Sequence, residues 1–430
     1  MKKMLFVALA AAGMLTACTS NDDLGAANQN NDLSLQKIQL GVSTKATVQT
    51  RGTGTVGGVE VDENVWDGQY FWVYMLQQGT MKVAQYTDPE GHSTPIYNNM
   101  LFVAPSDTVS GTAYAEDNSV AYYPVTGNSD FWGYRIDDAC NADPKAKATV
   151  KLIDANGLET TNDTVAVKRV VDFTIDGSQD IMAGKAVLTD AEAGKLDATR
   201  KNDYYSAYAS RHDVQPNIPF DHQLTRFTFH VKAGSKGAAG NGDNTEAISV
   251  DTVRLGSFTK GQLVVAYTGA KPESLVTFQK PESYTTADMT KLYLKQRGET
   301  ATQKDMLVDL KKVVLTWDEL ADKANVLPVG EALLVSPGEK TYPLTLDLLQ
   351  KVVVKDDRAG NKTFKELKLQ QNVNLPEIEG GYLAGHSYDV TITVYGLEKI
   401  VVTATLNPWK DGGNISIDDD GENVFKPAGE

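Results

Sequence analysis

The side chains able to do chemistry in this 430-residue chain are few and scattered. No H-E-x-x-H zinc helix, no G-x-S-x-G nucleophile turn and no phosphate-binding P-loop occurs in it. Gly52, Gly54 and Gly57 match G-x-G-x-x-G. However, Gly58, Val59 and Val61 and then Trp66-Asp67-Gly68 follow them instead of the helix N-terminus that holds a pyrophosphate. Asp418-Asp419-Asp420-Gly421 has the start of a calcium loop, yet Pro427 stands where the bidentate Glu is needed, so it reads as a solvated turn. His222, within Phe220-Asp221-His222-Gln223-Leu224, reads as a hydrogen-bonding residue beside a strand. Paired carboxylates could hydrolyse a glycosidic bond, but among 56 acidic residues no pair is marked by its spacing. The chain is therefore expected to be no enzyme and to hold no cofactor and no metal. Two cysteines, Cys18 and Cys140, cannot build a disulfide framework or a Cys-rich metal site. What remains is one thiol near the N-terminus and one basic peptide bond in a polar, glycine-bearing stretch.

The thiol has a context. Met1-Lys2-Lys3 is a short basic region, and residues 4–15 form an apolar run shorter than the ~20 residues of a spanning helix, which is the pattern of an export signal. It ends in Leu15-Thr16-Ala17-Cys18, which resembles the lipobox of bacterial lipoproteins, where cleavage precedes the cysteine and acyl chains are attached to it. Cys18 is the expected lipidation site, with outer-membrane lipid as its partner. Ser20-Asn21-Asp22-Asp23 resembles the acidic tag of surface-exported lipoproteins of the Bacteroidota. Once Cys18 is acylated, Cys140 has no partner in the chain and reads as a small buried hydrophobe. A net charge of −15, from 41 basic and 56 acidic residues, with no basic block, excludes nucleic acid as a partner.

The elements that must carry these residues are strands. Phe227, Phe229 and Val231 alternate with Arg226, Thr228 and His230. Tyr388, Val390, Ile392 and Val394 alternate with polar neighbours, and Ile400, Val402, Ala404 and Leu406 share one face. Residues 70–76 are apolar on both faces and read as a more enclosed strand. Thirty-six glycines and fifteen prolines punctuate the runs. Capping boxes at Thr189-Asp190-Ala191-Glu192 and Thr316-Trp317-Asp318-Glu319 predict two short helices. A boundary between units is expected in the proline-bearing stretch 200–219 or in the glycine-rich stretch 234–244. Thr108, Thr164 and Thr252, each within Asp-Thr-Val, match a weak O-glycan acceptor triplet.

Residues 38–48 carry the most information. Ile38, Leu40, Val42, Thr44, Ala46 and Val48 share one face, and Gln39, Gly41, Ser43, Lys45, Thr47 and Gln49 the other. A tether would be uniformly polar, so this strand is expected to lie in a hydrophobic groove of the sheet behind it. It ends at Gln49-Thr50-Arg51-Gly52, where a trypsin-like protease could cut between Arg51 and Gly52, with Lys45 as the alternative site. Cleavage would leave a groove that a strand from another molecule can fill.

Taken together, the lipobox at Cys18, the Thr50-Arg51-Gly52 region, Asp180-Ile181-Met182-Ala183, Phe220-x-His222-x-Leu224-Thr225-Arg226-Phe227, Gly385-x-x-Tyr388 and Asn407-Pro408-Trp409 resemble the fimbrillin family of the Bacteroidota, the subunits of type V pili. The resemblance implies an all-β chain of two Greek-key β-sandwich domains of transthyretin-like type with a few short helices. It implies a signal peptide over 1–17, a lipidated propeptide with an amphipathic strand over 18–51, and domains over 52–213 and 214–430, so that 234–244 becomes a loop. It also implies an outer-membrane lipoprotein that is cut after an arginine and assembled with other pilin subunits by donor-strand exchange into a surface fimbria serving adhesion. Family donor strands lie in a C-terminal extension. Here Asp418-Asp419-Asp420-Gly421 and Pro427 interrupt that extension, which leaves tip and shaft positions both open. The alternative is a monomeric surface glycan-binding lipoprotein with Trp66, Trp72, Trp132 and Tyr134 as a sugar platform.

Overall fold

The computed structural model describes residues 36–44, 66–104, 106–108, 110–136, 147–202, 204–240, 246–300, 307–356, 362–407, 414–417 and 423–426. Cys18, Lys45, Ala46, Val48, Arg51, Gly52, the Gly52–Gly57 motif, Cys140, Pro408, Trp409 and residues 418–421 lie outside the described residues.

Within them the chain is mostly β, in several sheets. Strands of five or more residues are, in chain order, β1 (Leu40–Thr44), β2 (Tyr70–Gln77), β3 (Asn98–Val103), β4 (Ser110–Ala115), β5 (Ser129–Ile136), β6 (Val150–Asp154), β7 (Ala166–Thr174) and β8 (Ile181–Lys185). They continue as β9 (Asn217–His222), β10 (Thr225–Ala233), β11 (Ser249–Ser257), β12 (Lys260–Tyr267), β13 (Pro343–Asp356), β14 (Lys362–Asn374), β15 (Ser387–Val394) and β16 (Ile400–Asn407). Seven of them close into a ring in the order β1-β9-β8-β5-β2-β3-β4. Without β1 the same order is an open six-stranded sheet, so β1 decides between barrel and sheet. The strand β9 begins three residues after the expected boundary at Val214 and belongs to this ring. The remaining strands form a sheet of β6, β7 and β12, a sheet of β10, β15 and β16, and a sheet of β11, β13 and β14, each extended by shorter strands.

Period-2 alternation explains where the side chains go. In β2, Phe71, Val73 and Met75 point into the ring with Phe102, Phe131, Ile218 and Phe220. Tyr74 and Leu76 point the other way, into a larger cluster built on Phe227, Leu255, Leu344, Tyr382 and Val390. A strand covered on both sides has no polar face, which is why 70–76 is apolar throughout. The same geometry takes Trp132 and Tyr134 out of the alternative sugar platform. Trp132 and Tyr134 are 3% and 1% exposed, and they pack outward from β5 into the second cluster instead of facing water.

Of the two expected helices, one is present. Thr189 caps α1 (Asp190–Ala193) with its hydroxyl accepting from Glu192 N–H, and Glu192 reaches back to Thr189 N–H. The other is a correction: Trp317–Asp318 is a short strand paired with Lys323–Ala324. Asp318 Oδ1 accepts from the N–H groups of Leu320 and Ala321, so the carboxylate closes a hairpin turn where the local pattern reads as a helix start. A second short helix, α2 (Ala207–Ser210), capped by Ser206, was not signalled by a capping box.

Candidate functional site

The strand expected to be displaceable is β1, and its surroundings follow from its alternation. Ile38, Leu40 and Val42 are 5%, 1% and 0% exposed, whereas Lys37 and Gln39 face solvent. The three apolar side chains enter the ring cluster floored by Phe71, Phe102 and Phe220, whose rings meet at 5.3 Å (Phe71–Phe220) and 5.9 Å (Phe71–Phe102). Phe220 can lie there because β5 has glycine beside it: a Cβ at Gly133 would come within 2.5 Å of the Phe220 ring.

Both edges of β1 are paired. It runs parallel to β9, with Val42 opposite Ile218 and Thr44 opposite Phe220, and antiparallel to β4, with Leu40 opposite Ala113 and Val42 opposite Gly111. The segment before it is held as well: Ile38 N–H donates to Ala121 O at 3.0 Å, Gln39 N–H to Gln215 Oε1 at 3.1 Å, and Tyr123 N–H to Gln36 O at 3.0 Å. None of these partners is a hairpin neighbour in sequence. The strand can therefore leave without breaking any tight turn, and its departure would turn β4 and β9 into edges with unpaired backbone groups. Burial of three aliphatic side chains is worth on the order of 5–8 kcal/mol, an upper value because the free chain is itself partly collapsed.

The scattered sequence motifs converge on a second place, a buried polar node below the ring. His222 Nδ1 lies 2.7 Å from Asp180 Oδ2, and both side chains are enclosed. Arg226, 3% exposed, donates from Nη1 to Ser387 Oγ at 2.8 Å. Burial pulls its guanidinium down to about 10, against the opposing pull of the Asp180, Glu331 and Asp389 carboxylates. Gly385 N–H donates to Leu224 O at 2.8 Å, and Thr225 Oγ1 donates to Leu383 O at 2.9 Å. Phe227 packs on Tyr382 and Tyr388, with ring centroids 5.1 and 5.7 Å away. His222 is thus a structural residue, and the node joins the end of β9 to β10 and β15. The sequence motifs contain Asp180, His222, Leu224, Thr225, Arg226, Phe227, Gly385 and Tyr388 but not Ser387, Glu331, Tyr382 or Leu383, and nothing in them shows that these residues meet, since Asp180 and Ser387 are far apart in the chain. Thr164 is exposed, whereas Thr252 is half-buried and its Oγ1 donates to Asp347 Oδ2 on the neighbouring strand β13.

A neighbouring pair has a pH signature. His230 Nδ1 lies 2.7 Å from Asp389 Oδ1, and this hydrogen bond raises the imidazole above its ordinary 6.5 in spite of partial burial. A raised folded-state value contributes stability that is complete below about pH 6.5 and is lost as pH rises through the raised value. The pair is partly exposed, so the contribution is on the order of 0.5 kcal/mol. Urea unfolding of the native chain should show this loss as pH rises above about 6.5. Asp389→Asn should remove the difference, and an unchanged difference would dismiss the pair.

No family profile matches the chain, and no curated protein matches it. Solved structures do. A candidate cell adhesion protein of Bacteroides uniformis is similar over 87% of this chain and 98% of its own, with 16% identity and a TM-score of 0.37. The fimbrial anchor protein Mfa2 of Porphyromonas gingivalis is similar over 90% and 99%, with 12% identity and a TM-score of 0.27. The tip fimbrial protein Mfa3 of the same organism, truncated at its C-terminus, is similar over 86% and 99%, with 9% identity and a TM-score of 0.25. The likeness is to fimbrial and adhesion proteins. Identity and TM-score are low, and the functional argument rests on the residues themselves.

Proposed function

We propose that this chain is a structural subunit, tip or shaft, of a surface fimbria serving adhesion, exported as a lipoprotein on Cys18, cut after Arg51 and assembled with other pilin subunits by strand exchange. The observation that carries the reading is β1: a strand paired on both edges, with its apolar face inside the ring, located between the anchoring cysteine and the basic cleavage region. Before cleavage β1 fills its own groove, so the precursor is self-complemented and attached to the outer membrane. Cleavage frees β1 from the body, and a strand from another subunit takes its place, with ladder hydrogen bonds giving affinity and the alternating side chains fixing register. Cutting at Lys45 would leave part of the strand behind and give a poorer acceptor. The division into units over 52–213 and 214–430 is part of this proposal, with β9 of the second stretch completing the ring of the first.

Limited trypsin digestion of residues 19–430, with mass spectrometry of the new N-terminus and sizing of the product, tests the reading. The expected product begins at Gly52 and forms larger species once residues 19–51 are dissociated in mild denaturant. An Arg51 bond that resists protease while the fold is intact, or a stable monomer after loss of β1, would overturn it.

A further inference from the structure

The antiparallel pair β13–β14 runs past the sheet that supports it. Pairing between β13 and β11 covers Leu344 to Leu349 only, while pairing between β13 and β14 continues to Asp356 opposite Lys362. The last support is Glu246, whose N–H donates to Lys351 O at 2.9 Å. From Val352 onward no described strand pairs with β13 on the side away from β14, and β14 is the terminal strand of its sheet. Residues 350–356 and 362–367 thus form a two-stranded arm about 23 Å long at ~3.3 Å per residue, with Lys368 and Leu369 at its base opposite Leu349 and Leu348.

Such a ribbon is marginal by itself in water, and this one also exposes apolar side chains. Val354 and Phe364 on the arm are 55% and 42% exposed, and Leu369 at its base is 37% exposed. Its charge is opposite to that of the rest of the protein. The arm and its base together carry five basic residues (Lys351, Lys355, Lys362, Lys365 and Lys368) and two acidic ones (Asp356 and Glu366), a net +3, in a chain of −15 whose remainder is therefore −18. Lysines on an exposed edge also discourage edge-to-edge pairing. That role accounts for the lysines and leaves Val354 and Phe364 in water. Apolar side chains rimmed by charge are the make-up of an interface.

We infer that this arm docks on the acidic body of a second copy of this chain. Arm-to-arm pairing is disfavoured, because it would bring Lys362, Lys365 and Lys368 against the same lysines. The contact is heterologous, arm to body, and so can propagate along a row of copies. It does not rest on strand exchange: it operates in the uncut chain with β1 seated, so its failure and the failure of the proposed assembly are separate results.

The test is sedimentation velocity of uncut residues 19–430 over a range of concentrations. Association is expected at low salt and should weaken at least ~10-fold at ~0.3 M salt, where charges are screened beyond a few ångströms. Lys362→Glu/Lys365→Glu/Lys368→Glu should weaken it at least ~10-fold at low salt, and Val354→Ser/Phe364→Ser should do so without changing net charge. These side chains lie outside both cores, so unchanged melting curves certify the fold. The charge-reversed variant keeps an acidic body, so it should still bind a tagged wild-type copy through the wild-type arm. A monomer at low salt up to ~0.2 mM would overturn the inference. So would association indifferent to both variants, or an arm that retains heparin while the chain stays monomeric.

Discussion

With Asp in place of Val42, the chain is expected to lose the closed ring and to regain it when a peptide of residues 38–48 is supplied in trans. Val42 is 0% exposed, paired on both sides, and surrounded by the aromatic floor of the ring. A carboxylate there has no partner, and placing it inside costs more than about 4 kcal/mol. That is a large share of the order 5–8 kcal/mol with which the β1 side chains hold the strand in place. The strand therefore leaves the groove, and β4 and β9 become exchanging edges. Amide exchange should show protection lost over β1, β4 and β9 and kept over β10, β13 and β15, whose core is a separate cluster. Gln39→Asp, on the exposed face of the same segment, should change stability by less than about 0.5 kcal/mol. The peptide stabilises the variant in proportion to the logarithm of its concentration over its dissociation constant. Wild-type chain with β1 seated should not bind it. If the variant retains full protection over β4 and β9, or if peptide and variant do not combine, the groove does not accept a strand and strand exchange loses its structural basis.

Replacing Asp180 by Ala should be the most damaging change outside the ring. The carboxylate sits at 0% exposure beside His222, and it is among the carboxylates that offset the burial of Arg226. Removing one partner of a buried charged set leaves the others uncompensated, at about 3–5 kcal/mol. Asp180→Asn keeps an acceptor for His222 and loses only the charge, so it should recover part of the difference. Urea unfolding followed by far-UV circular dichroism reads both values. A loss below about 1 kcal/mol for Asp180→Ala would mean that the node does not hold β9, β10 and β15 together.

Much of the local structure was legible because strands write a period of two into the sequence. The buried faces of β10 and β15 were expected from Phe227, Phe229 and Val231 and from Tyr388, Val390, Ile392 and Val394, and all seven are buried. The apolar face beginning Ile38, Leu40, Val42 is buried over its described part for the same reason. Where a local pattern fits two structures, it misled. Thr316-Trp317-Asp318-Glu319 satisfies a capping box, but Asp318 turns its oxygen onto two following N–H groups and the segment pairs with Lys323–Ala324. An aromatic alternating strand is likewise the same in sequence whether its second face meets water or another sheet. Trp132 and Tyr134 therefore could not be told from a platform until the second cluster was seen to cover them.

The sequence by itself determined that the body of the chain is built of strands and that residues 38–48 have one apolar face. These are statements about adjacent residues, where side-chain alternation and charge need no knowledge of the rest of the chain. Only the tertiary structure decided what that face meets. The partners of β1 are Ser110–Ala115 and Asn217–His222, strands about 70 and 176 residues away, and no period links them. The same holds for Asp180, His222, Arg226 and Ser387, four residues that become one node because β8 pairs with β9, β10 pairs with β15, and only Gln223 and Leu224 separate β9 from β10. Pairing across such distances is chosen by which faces bury together and which backbone edges are satisfied. That choice is made by the folded chain as a whole, and it is what makes β1 the strand on which closure of the ring depends.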